Sequence, residues 1–225
     1  MRALAAGEAY RLWAPTYSDE TAISFLEDRL VRAMTPPLAG ARLLDAGCGT
    51  GRRIRGTGAA AVVGLEPCRE MLAAGAAADG PMAGVELVVG DVRDMPLPSA
   101  FFDVIWCRLV LGHLPEIDQA YAELARVADK GATLIVSDFH PAAAEAGHRR
   151  SFRLCGDAIE IEHYVHGSAD HVAAAEAAGF ALEDTREAVI GNDVRPFYES
   201  AGRIESYPAH VGLRVVVALS FRKAR

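Results

Sequence analysis

The sequence lacks long apolar runs, and this excludes a protein with membrane-spanning helices. Its longest runs, such as residues 59–63, fall far short of the ~20 residues that a helix needs to cross a bilayer. Residues 1–13 contain no apolar stretch of the length that a secretory signal needs before Arg11 interrupts them. We therefore expect a cytoplasmic protein with no membrane partner.

Cysteine is scarce and never occurs in CxxC spacing. The four cysteines are Cys48, Cys68, Cys107 and Cys155. Without an export signal or metal-binding spacing, they predict neither a disulfide framework nor a zinc site. We expect free thiols and no bound metal.

Lysine is nearly absent, and basic residues are outnumbered. Lys130 and Lys223 are the only lysines among 23 basic residues, against 30 acidic ones, so the formal net charge is −7. Because nucleic-acid binding needs basic surface to neutralise phosphates, this balance disfavours a nucleic-acid partner. A chain of 225 residues buries about 70% of its unfolded surface, so we expect one domain, residues 1–225, as a monomer or homodimer.

Residues 1–37 have the pattern of a helical cap. An apolar repeat at helical spacing comprises Ala22, Leu26, Leu30 and Met34. Ser18 or Asp19 can cap this helix, and Pro36-Pro37 ends it.

After residue 41, short apolar runs alternate with alanine-rich segments. We predict seven strands in ARLLDAG, AAVVGLE, VELVVGD, FFDVIWC, ATLIVSD, FALEDTREAVI and GLRVVVALSF. The clearest helices are residues 116–128 and residues 168–178, the latter with Ser168 as N-cap and Gly179 as its end. Such alternation predicts a three-layer α/β structure with parallel strands and right-handed crossovers. Residues 190–211 resemble a loop or lid, so the final strand is expected to enter antiparallel.

The strongest motif is LLDAGCGTG at residues 43–51, an apolar strand that runs into a glycine-dense turn. Gly47, Gly49 and Gly51 remove the Cβ atoms that would keep a ligand from the end of the strand. The spacing is GxGxG, whereas the dinucleotide fingerprint is GxGxxG. Alone, this loop is equally compatible with a nucleotide-type ligand and with a plain tight turn.

The next two strands also end in carboxylates. Glu66 follows the second strand, 21 positions after Asp45, and can accept hydrogen bonds from both hydroxyls of a ribose. Asp91 follows the third strand, where its side chain and the amide of Val92 can form hydrogen bonds with the exocyclic amine and a ring nitrogen of an adenine. Three consecutive strand ends thus direct polar groups to one crevice, which is where open α/β sheets bind ligands.

Together, LLDAGCGTG, VVGLEP, GDVRDMPLP and FFDVIWCRLVLGHLPE resemble the class I S-adenosylmethionine-dependent methyltransferases. The resemblance is greatest to the small-molecule branch that includes ubiquinone/menaquinone C-methyltransferase-like enzymes and the carrier-protein methyltransferases of biotin synthesis. It implies a Rossmann-like, seven-stranded, mostly parallel sheet with an antiparallel last strand and an N-terminal helical cap. It also divides the domain into a cap (1–37), a cofactor-binding half (38–139), an insertion (140–167) and a C-terminal half (168–225).

The resemblance implies S-adenosyl-L-methionine as cofactor and a small-molecule acceptor. In that family the glycine loop holds the methionyl part, the acid after the second strand holds the ribose, and the Gly-Asp pair after the third strand holds the adenine. The predicted cofactor-binding residues are Asp45, Gly47, Cys48, Gly49, Gly51, Glu66, Pro67, Met71, Asp91, Val92, Cys107, Arg108 and Tyr17. The cap aromatics Tyr10, Trp13 and Tyr17 are candidates for ligand contact or for packing of the cap.

Two departures from the family pattern concern the first crossover and the strand-four loop. Residues 52–61 are short and carry Gly56 and Gly58 where a helix is expected, which predicts an irregular crossover. Gly112 stands where many relatives have a histidine before His113.

Methyl transfer from a sulfonium is an in-line displacement, in which alignment and exclusion of water supply much of the rate. If the acceptor must lose a proton, His113 or His140 is the candidate base. Arg108 is a candidate for steering an anionic acceptor, with a salt bridge as the alternative. The absence of an Asn/Asp-Pro-Pro-Tyr/Phe motif disfavours methylation of nucleic-acid bases, and Asp138 alone does not make a magnesium site. A nicotinamide-dependent oxidoreductase and a non-catalytic S-adenosylmethionine-binding protein are the alternatives.

Overall fold

A seven-stranded sheet forms the centre of the structure, a computed structural model that describes residues 3–17, 20–80 and 82–224. The strands are β1 (Arg42–Ala46), β2 (Ala61–Glu66), β3 (Val85–Val89), β4 (Phe102–Arg108), β5 (Ala128–Phe139), β6 (Ser151–Leu154), β7 (Asp157–Glu160), β8 (Phe180–Val189) and β9 (Arg214–Lys223). The sheet order is β3-β2-β1-β4-β5-β9-β8, and β6 and β7 form a separate antiparallel hairpin. Strands β1 to β5 pair in parallel, whereas β9 is antiparallel to both neighbours. The seven predicted strands, their mostly parallel order and the antiparallel last strand are confirmed.

Eight α-helices surround the sheet in the described part of the chain. They are α1 (Ala6–Trp13), α2 (Ala22–Met34), α3 (Arg69–Asp79), α4 (Asp118–Val127), α5 (Pro141–Glu145), α6 (Ser168–Ala177), α7 (Arg195–Ser200) and α8 (Tyr207–His210). The helices predicted over 116–128 and 168–178 are confirmed as α4 and α6. Gly167, rather than Ser168, is the N-cap of α6, and Gly179 follows the helix with φ +89°.

The predicted apolar repeat of the cap forms α2, which ends before Pro36-Pro37. Ser18 and Asp19, the predicted caps, lie outside the described residues. Thr21 is the N-cap, and its side chain accepts a hydrogen bond from the backbone N–H of Ser24. The cap therefore begins its second helix with a capping box.

Two segments differ in detail from their sequence patterns. Residues 190–211 are not a plain loop, because they contain α7 and α8. Pro196 and Pro208 each occupy the first turn of a helix, where the missing N–H of proline costs nothing. The β6–β7 hairpin inside the insertion was also not predicted. The first crossover, residues 47–60, contains turns and no helix, as the glycine pattern predicts.

Apolar side chains bury both faces of the sheet. On one face, Tyr121 and Leu124 of α4 and Ala175 of α6 pack against Phe221 of β9. On the other, Val31 of α2 packs with strand residues that include Leu43 and Trp106. This three-layer packing leaves the carboxyl ends of the parallel strands open at one edge. No helix in the described ranges has both the length and the apolar character to cross a membrane.

Candidate cofactor and acceptor site

A cavity of about 1730 Å³ opens at the carboxyl ends of the parallel strands. Its walls come from the loop after β1, the ends of β2 and β4, helix α1, the insertion hairpin and residues 197–210. Small-molecule pockets commonly measure about 300–1,000 Å³. The cavity therefore has room for two ligands side by side.

The glycine loop forms one wall, and its conformation requires glycine. Gly47, Gly49 and Gly51 have φ values of +88°, +59° and +73°, where side chains are strained. A Cβ at Gly47 would lie 2.2 Å from Val110 Cγ2. The N–H groups of Gly47 and Cys48 donate to the carbonyl of Leu65 at 2.7 and 2.9 Å. The loop is thus fixed to the end of β2.

Helix α3 supports this loop from behind through a close backbone approach. A Cβ at Gly75 of α3 would lie 2.0 Å from the Thr50 carbonyl oxygen. Met71, one turn earlier, is buried and lines the cavity, with its Cε 3.4 Å from where a Cβ of Gly49 would lie. Predicted site residues Cys48 and Pro67 also line the cavity.

Glu66 is held rigidly at the cavity wall. Its Oε2 accepts from the Gly49 N–H and its Oε1 from the Cys68 N–H, both at 3.0 Å. Burial raises the pKa of this carboxyl, and the two backbone N–H groups act in the opposite direction. Each oxygen keeps a second lone pair for a ligand donor. The carboxylate is therefore oriented before any ligand arrives.

Asp45 lines the same cavity and has an unsatisfied oxygen. Its side chain is buried, and Oδ1 has no hydrogen-bond partner within the described ranges. Burial raises the pKa of Asp45 to about 7, with the nearby Arg108 acting to lower it. A buried carboxylate without a partner is costly, so a cationic or hydrogen-bond-donating ligand would stabilise it.

Asp91 and Val92 lie at the third strand end, as predicted, and line the cavity. The carboxylate of Asp91 accepts from the Arg93 N–H at 2.8 Å and from Arg93 Nη2 at 2.7 Å. This guanidinium holds the pKa of Asp91 below its usual range. Asp91 is therefore ionised and partly exposed.

Three aromatic side chains of the cap cover the cofactor end of the cavity. Tyr10 stacks on Trp13 with ring centroids 5.8 Å apart, and Trp13 meets Tyr17 edge-on at 4.7 Å. All three line the cavity. The two sequence interpretations, ligand contact and packing, are therefore compatible.

Cys107 and Arg108, two predicted cofactor-binding residues, have side chains that contact other parts of the protein. Cys107 is fully buried in the core beneath α4 and does not line the cavity, so the geometry gives no support to its predicted cofactor contact. Residues alternate between the two faces of a strand, and Cys107 faces the core. Arg108 does line the cavity, but its guanidinium forms a two-point ion pair with Glu27 at 3.0 and 2.6 Å and a third contact with Asp28 at 2.9 Å. The salt-bridge interpretation is the one that the geometry supports.

His140 does not line the cavity, so the geometry gives no support to its prediction as a base. Its Nδ1 accepts from the Ala142 N–H at 3.0 Å, which caps α5, and its Nε2 lies 3.1 Å from Glu187 Oε1. Both ring nitrogens are therefore engaged. His140 is a capping residue.

His113 lines the cavity, but its ring is already engaged. Arg150 Nη1, which can only donate, lies 2.8 Å from His113 Nε2, and the Tyr10 hydroxyl lies 3.0 Å from the same nitrogen. The other nitrogen donates to the Glu162 carbonyl at 3.4 Å. Burial, and then Arg150, lowers the pKa of His113 to about 3. The ring is neutral and its lone pair is occupied, so it positions Tyr10 and Arg150 and is a poor base.

Arg150, which the sequence did not single out, joins the insertion to the strand ends. It donates to Asp138 Oδ1 at 2.8 Å and to the Leu109 carbonyl at 2.7 Å. A Cβ at Gly112 would lie 2.7 Å from Asp138 Oδ1 and 3.2 Å from Arg150 Nη2. Gly112, the departure from the family pattern, thus makes room for this buried ion pair. Gly112 was the one signal in the sequence that could have indicated the role of Arg150.

Comparisons with known proteins agree with this geometry. A family model described as a methyltransferase domain matches residues 44–136. A probable chloroplastic tocopherol O-methyltransferase from Oryza sativa subsp. japonica is 31% identical over 193 residues, which are 78% of this chain and 52% of the relative. The 27-O-demethylrifamycin SV methyltransferase of Amycolatopsis mediterranei is 33% identical over 144 residues, which are 58% and 52% of the two chains. The chain spans about half the length of these curated relatives.

A solved structure of an S-adenosylmethionine-dependent methyltransferase from Mesorhizobium loti has the same fold. It superposes with a TM-score of 0.69 at 21% identity, over 88% of this chain and 98% of that one. The family match covers the strands that carry the glycine loop, Glu66 and Asp91. These matches support an assignment of the chain to the class I S-adenosylmethionine-dependent methyltransferases.

Proposed function

We propose that this chain transfers a methyl group from S-adenosyl-L-methionine to a small-molecule acceptor by in-line displacement. The observation that carries the proposal is the cofactor end of the cavity. There, an unsatisfied buried oxygen of Asp45, the loop that carries Gly47 and Gly49, and a pre-oriented Glu66 converge. Relatives named as tocopherol and rifamycin methyltransferases, and a fold neighbour named as a geranyl diphosphate methyltransferase, support a small acceptor.

The residues present fit this cofactor. Glu66 has lone pairs left for the two ribose hydroxyls, and Gly47 and Gly49, which line the cavity and carry no Cβ, would leave space for the methionyl part. Asp45 Oδ1 offers a negative partner to a cationic group, which would also satisfy that oxygen. Asp91 and the amide of Val92 would hold the adenine. When bound, the cofactor supplies an electrophilic methyl group on a sulfonium with a good leaving group.

The chain's own contribution is alignment and exclusion of water. Tyr10, Trp13 and Tyr17 cover the cavity from the cap, and Arg150 ties the insertion to the strand ends. Holding two reactants in line can supply about 7–11 kcal/mol of the barrier in favourable intramolecular cases. His113 holds Tyr10 and Arg150 in place and is a neutral imidazole at neutral pH, since its pKa is about 3.

The test uses equilibrium binding followed by turnover. S-adenosylhomocysteine should bind, as measured by calorimetry, whereas NAD and NADP should not. S-adenosylmethionine with a library of small phenols, acids and amines should then give a methylated product. No binding of S-adenosylhomocysteine at millimolar concentration would overturn the proposal, and binding without any product would favour the non-catalytic alternative.

Four sequence predictions stay predictions. They are the cytoplasmic location, the single domain with its four segments, the monomeric or dimeric state and the absence of a nucleic-acid partner. Gel filtration with light scattering of the purified chain would test the oligomeric state.

A further inference from the structure

The cavity has two walls of opposite charge. The cofactor wall carries the carboxylates of Asp45, Glu66 and Asp91. The wall formed by residues 139–161 and 197–210 carries four arginines and two histidines, with Glu160 as its lining carboxylate. In a protein with a net charge of −7, a basic wall at this place calls for a specific explanation.

Several of these arginines have no carboxylate to balance them. Arg150 is paired with Asp138, whereas Arg149 donates to the carbonyls of Ala144 and His148. Neither Arg149 nor Arg203 forms an ion pair with any carboxylate in the described part of the chain. Their charge is therefore available to a ligand in the cavity.

Beside Arg203 lies a compact group of polar side chains. The rings of His148 and His210 have centroids 4.4 Å apart, and the Tyr198 hydroxyl lies 3.1 Å from His210 Nδ1. His148 Nε2 is buried and has no hydrogen-bond partner among the residues that the structure describes. Burial, His210 and Arg203 together lower the pKa of His148. The surroundings of this imidazole are thus positive, and one of its nitrogens is unsatisfied.

We propose that His148, Tyr198, Arg203 and His210, here called the His148 cluster, bind an anionic oxygen group of the methyl acceptor, a carboxylate or a phosphate. The proposal rests on the proposed function, because it names the acceptor class for the same cavity. Arg203 supplies the charge, and the two imidazoles and the phenol supply hydrogen bonds. Phe139, Phe152 and Phe197 line the same cavity, so the rest of the acceptor is apolar.

The test measures binding of matched probes to the protein saturated with S-adenosylhomocysteine. Phenylpropionate and phenyl phosphate carry the anion on an apolar body, and phenylpropanamide is the neutral match. We expect at least one of the two anions to bind and to shift the imidazole NMR signals of His148 and His210. The amide should bind at least about tenfold more weakly. The stronger anion identifies carboxylate or phosphate as the preferred group.

Arg203→Gln provides the variant, and Arg195→Gln is its control. Arg195 lies in the same segment, pairs with Glu199 on the surface and does not line the cavity. Arg203→Gln should weaken anion binding at least about tenfold without changing amide or S-adenosylhomocysteine binding, and Arg195→Gln should change none of them.

The outcomes separate this proposal from the function on which it rests. Equal binding of anions and amide, absence of any imidazole shift at millimolar probe, or equal effects of the two arginine variants would overturn the anion subsite. If S-adenosylhomocysteine binds normally in those cases, the proposed function is untouched. If S-adenosylhomocysteine itself does not bind, both proposals fail.

Discussion

Two glycines in helices make a matched test of how the cofactor loop is supported. Gly75 lies buried in α3 and Gly7 lies exposed in α1. A Cβ at Gly75 would lie 2.0 Å from the Thr50 carbonyl oxygen, whereas a Cβ at Gly7 would have nothing within 4 Å. Changing each to alanine adds the same methyl group to the same kind of backbone in two different surroundings.

The expected loss of stability in Gly75→Ala follows from the contact between the new methyl group and the Thr50 carbonyl. The Gly75→Ala methyl must move away from Thr50 by about 1 Å, and a backbone carbonyl cannot rotate aside as a side chain can. Overpacking of this kind costs about 1–3 kcal/mol, and we expect the upper end. The higher helix propensity of alanine returns about 1 kcal/mol, which leaves a net loss of about 2 kcal/mol. For a chain of this size, Tm should fall by about 4–8 °C.

Gly7→Ala keeps only the gain in helix propensity. Its Tm should rise by about 1–4 °C. Differential scanning calorimetry of both variants gives the stabilities, and titration with S-adenosylhomocysteine should show weaker binding to Gly75→Ala than to the wild type. Equal Tm shifts for the two variants, or unchanged stability of Gly75→Ala, would refute the close approach of α3 to the loop.

Three further outcomes are expected from the buried residues Asp45 and Arg108 and from Gly112, which has no side chain. Burial raises the pKa of Asp45 from 3.8 to about 7, so the unfolded state loses its proton first and the free energy of unfolding should fall as pH rises between these values. In Asp45→Asn, urea unfolding across that pH range should lack this fall. The same pH profile in the wild type and the variant would count against the raised pKa of Asp45. Arg108→Met leaves the buried Glu27 unpaired and should cost about 3–5 kcal/mol by urea unfolding, whereas Arg195→Gln, on the surface, should stay within about 0.5 kcal/mol; similar losses would contradict the buried pair. Gly112→Ala places a Cβ 2.7 Å from Asp138 Oδ1 and should cost about 1–3 kcal/mol; a neutral result would mean that Arg150 and Asp138 move apart freely.

Much of the fold could be predicted because its signals are local. Each central strand is a short apolar run between turn residues, and both faces of the sheet are covered, so the pattern is unambiguous. The glycine loop and the acids after the strands were also found from the sequence, because their positions at strand ends place them at one edge. Parallel strands bring those ends together without further information.

The rest depends on contacts between distant segments. His113 and His140 were both candidate bases, yet one ring lies against Arg150 and the other caps a helix. Arg150 has no motif around it, and its partner Asp138 is 12 residues away in the chain. The α7 and α8 helices were missed because residues 190–211 resemble a loop, although Pro196 and Pro208 lie in first turns, where proline favours a helix. Such roles are decided by tertiary packing, which no local pattern records.

Glu66 and the glycine loop form the proposed cofactor site, and a calorimetric titration of matched variants measures how much Glu66 contributes to binding. S-adenosylhomocysteine is titrated into the wild type, Glu66→Gln and the control Glu86→Gln, an exposed residue on the neighbouring strand β3 that does not line the cavity. In Glu66→Gln the charge is lost, and the new NH₂ must face one of the two backbone N–H groups that now donate to the carboxylate. Hydrogen bonds to a charged group contribute about 1.5–3 kcal/mol each. We expect S-adenosylhomocysteine to bind to the wild type and to Glu86→Gln, and to bind at least about tenfold more weakly to Glu66→Gln. Equal affinity for all three proteins would mean that Glu66 does not hold the cofactor.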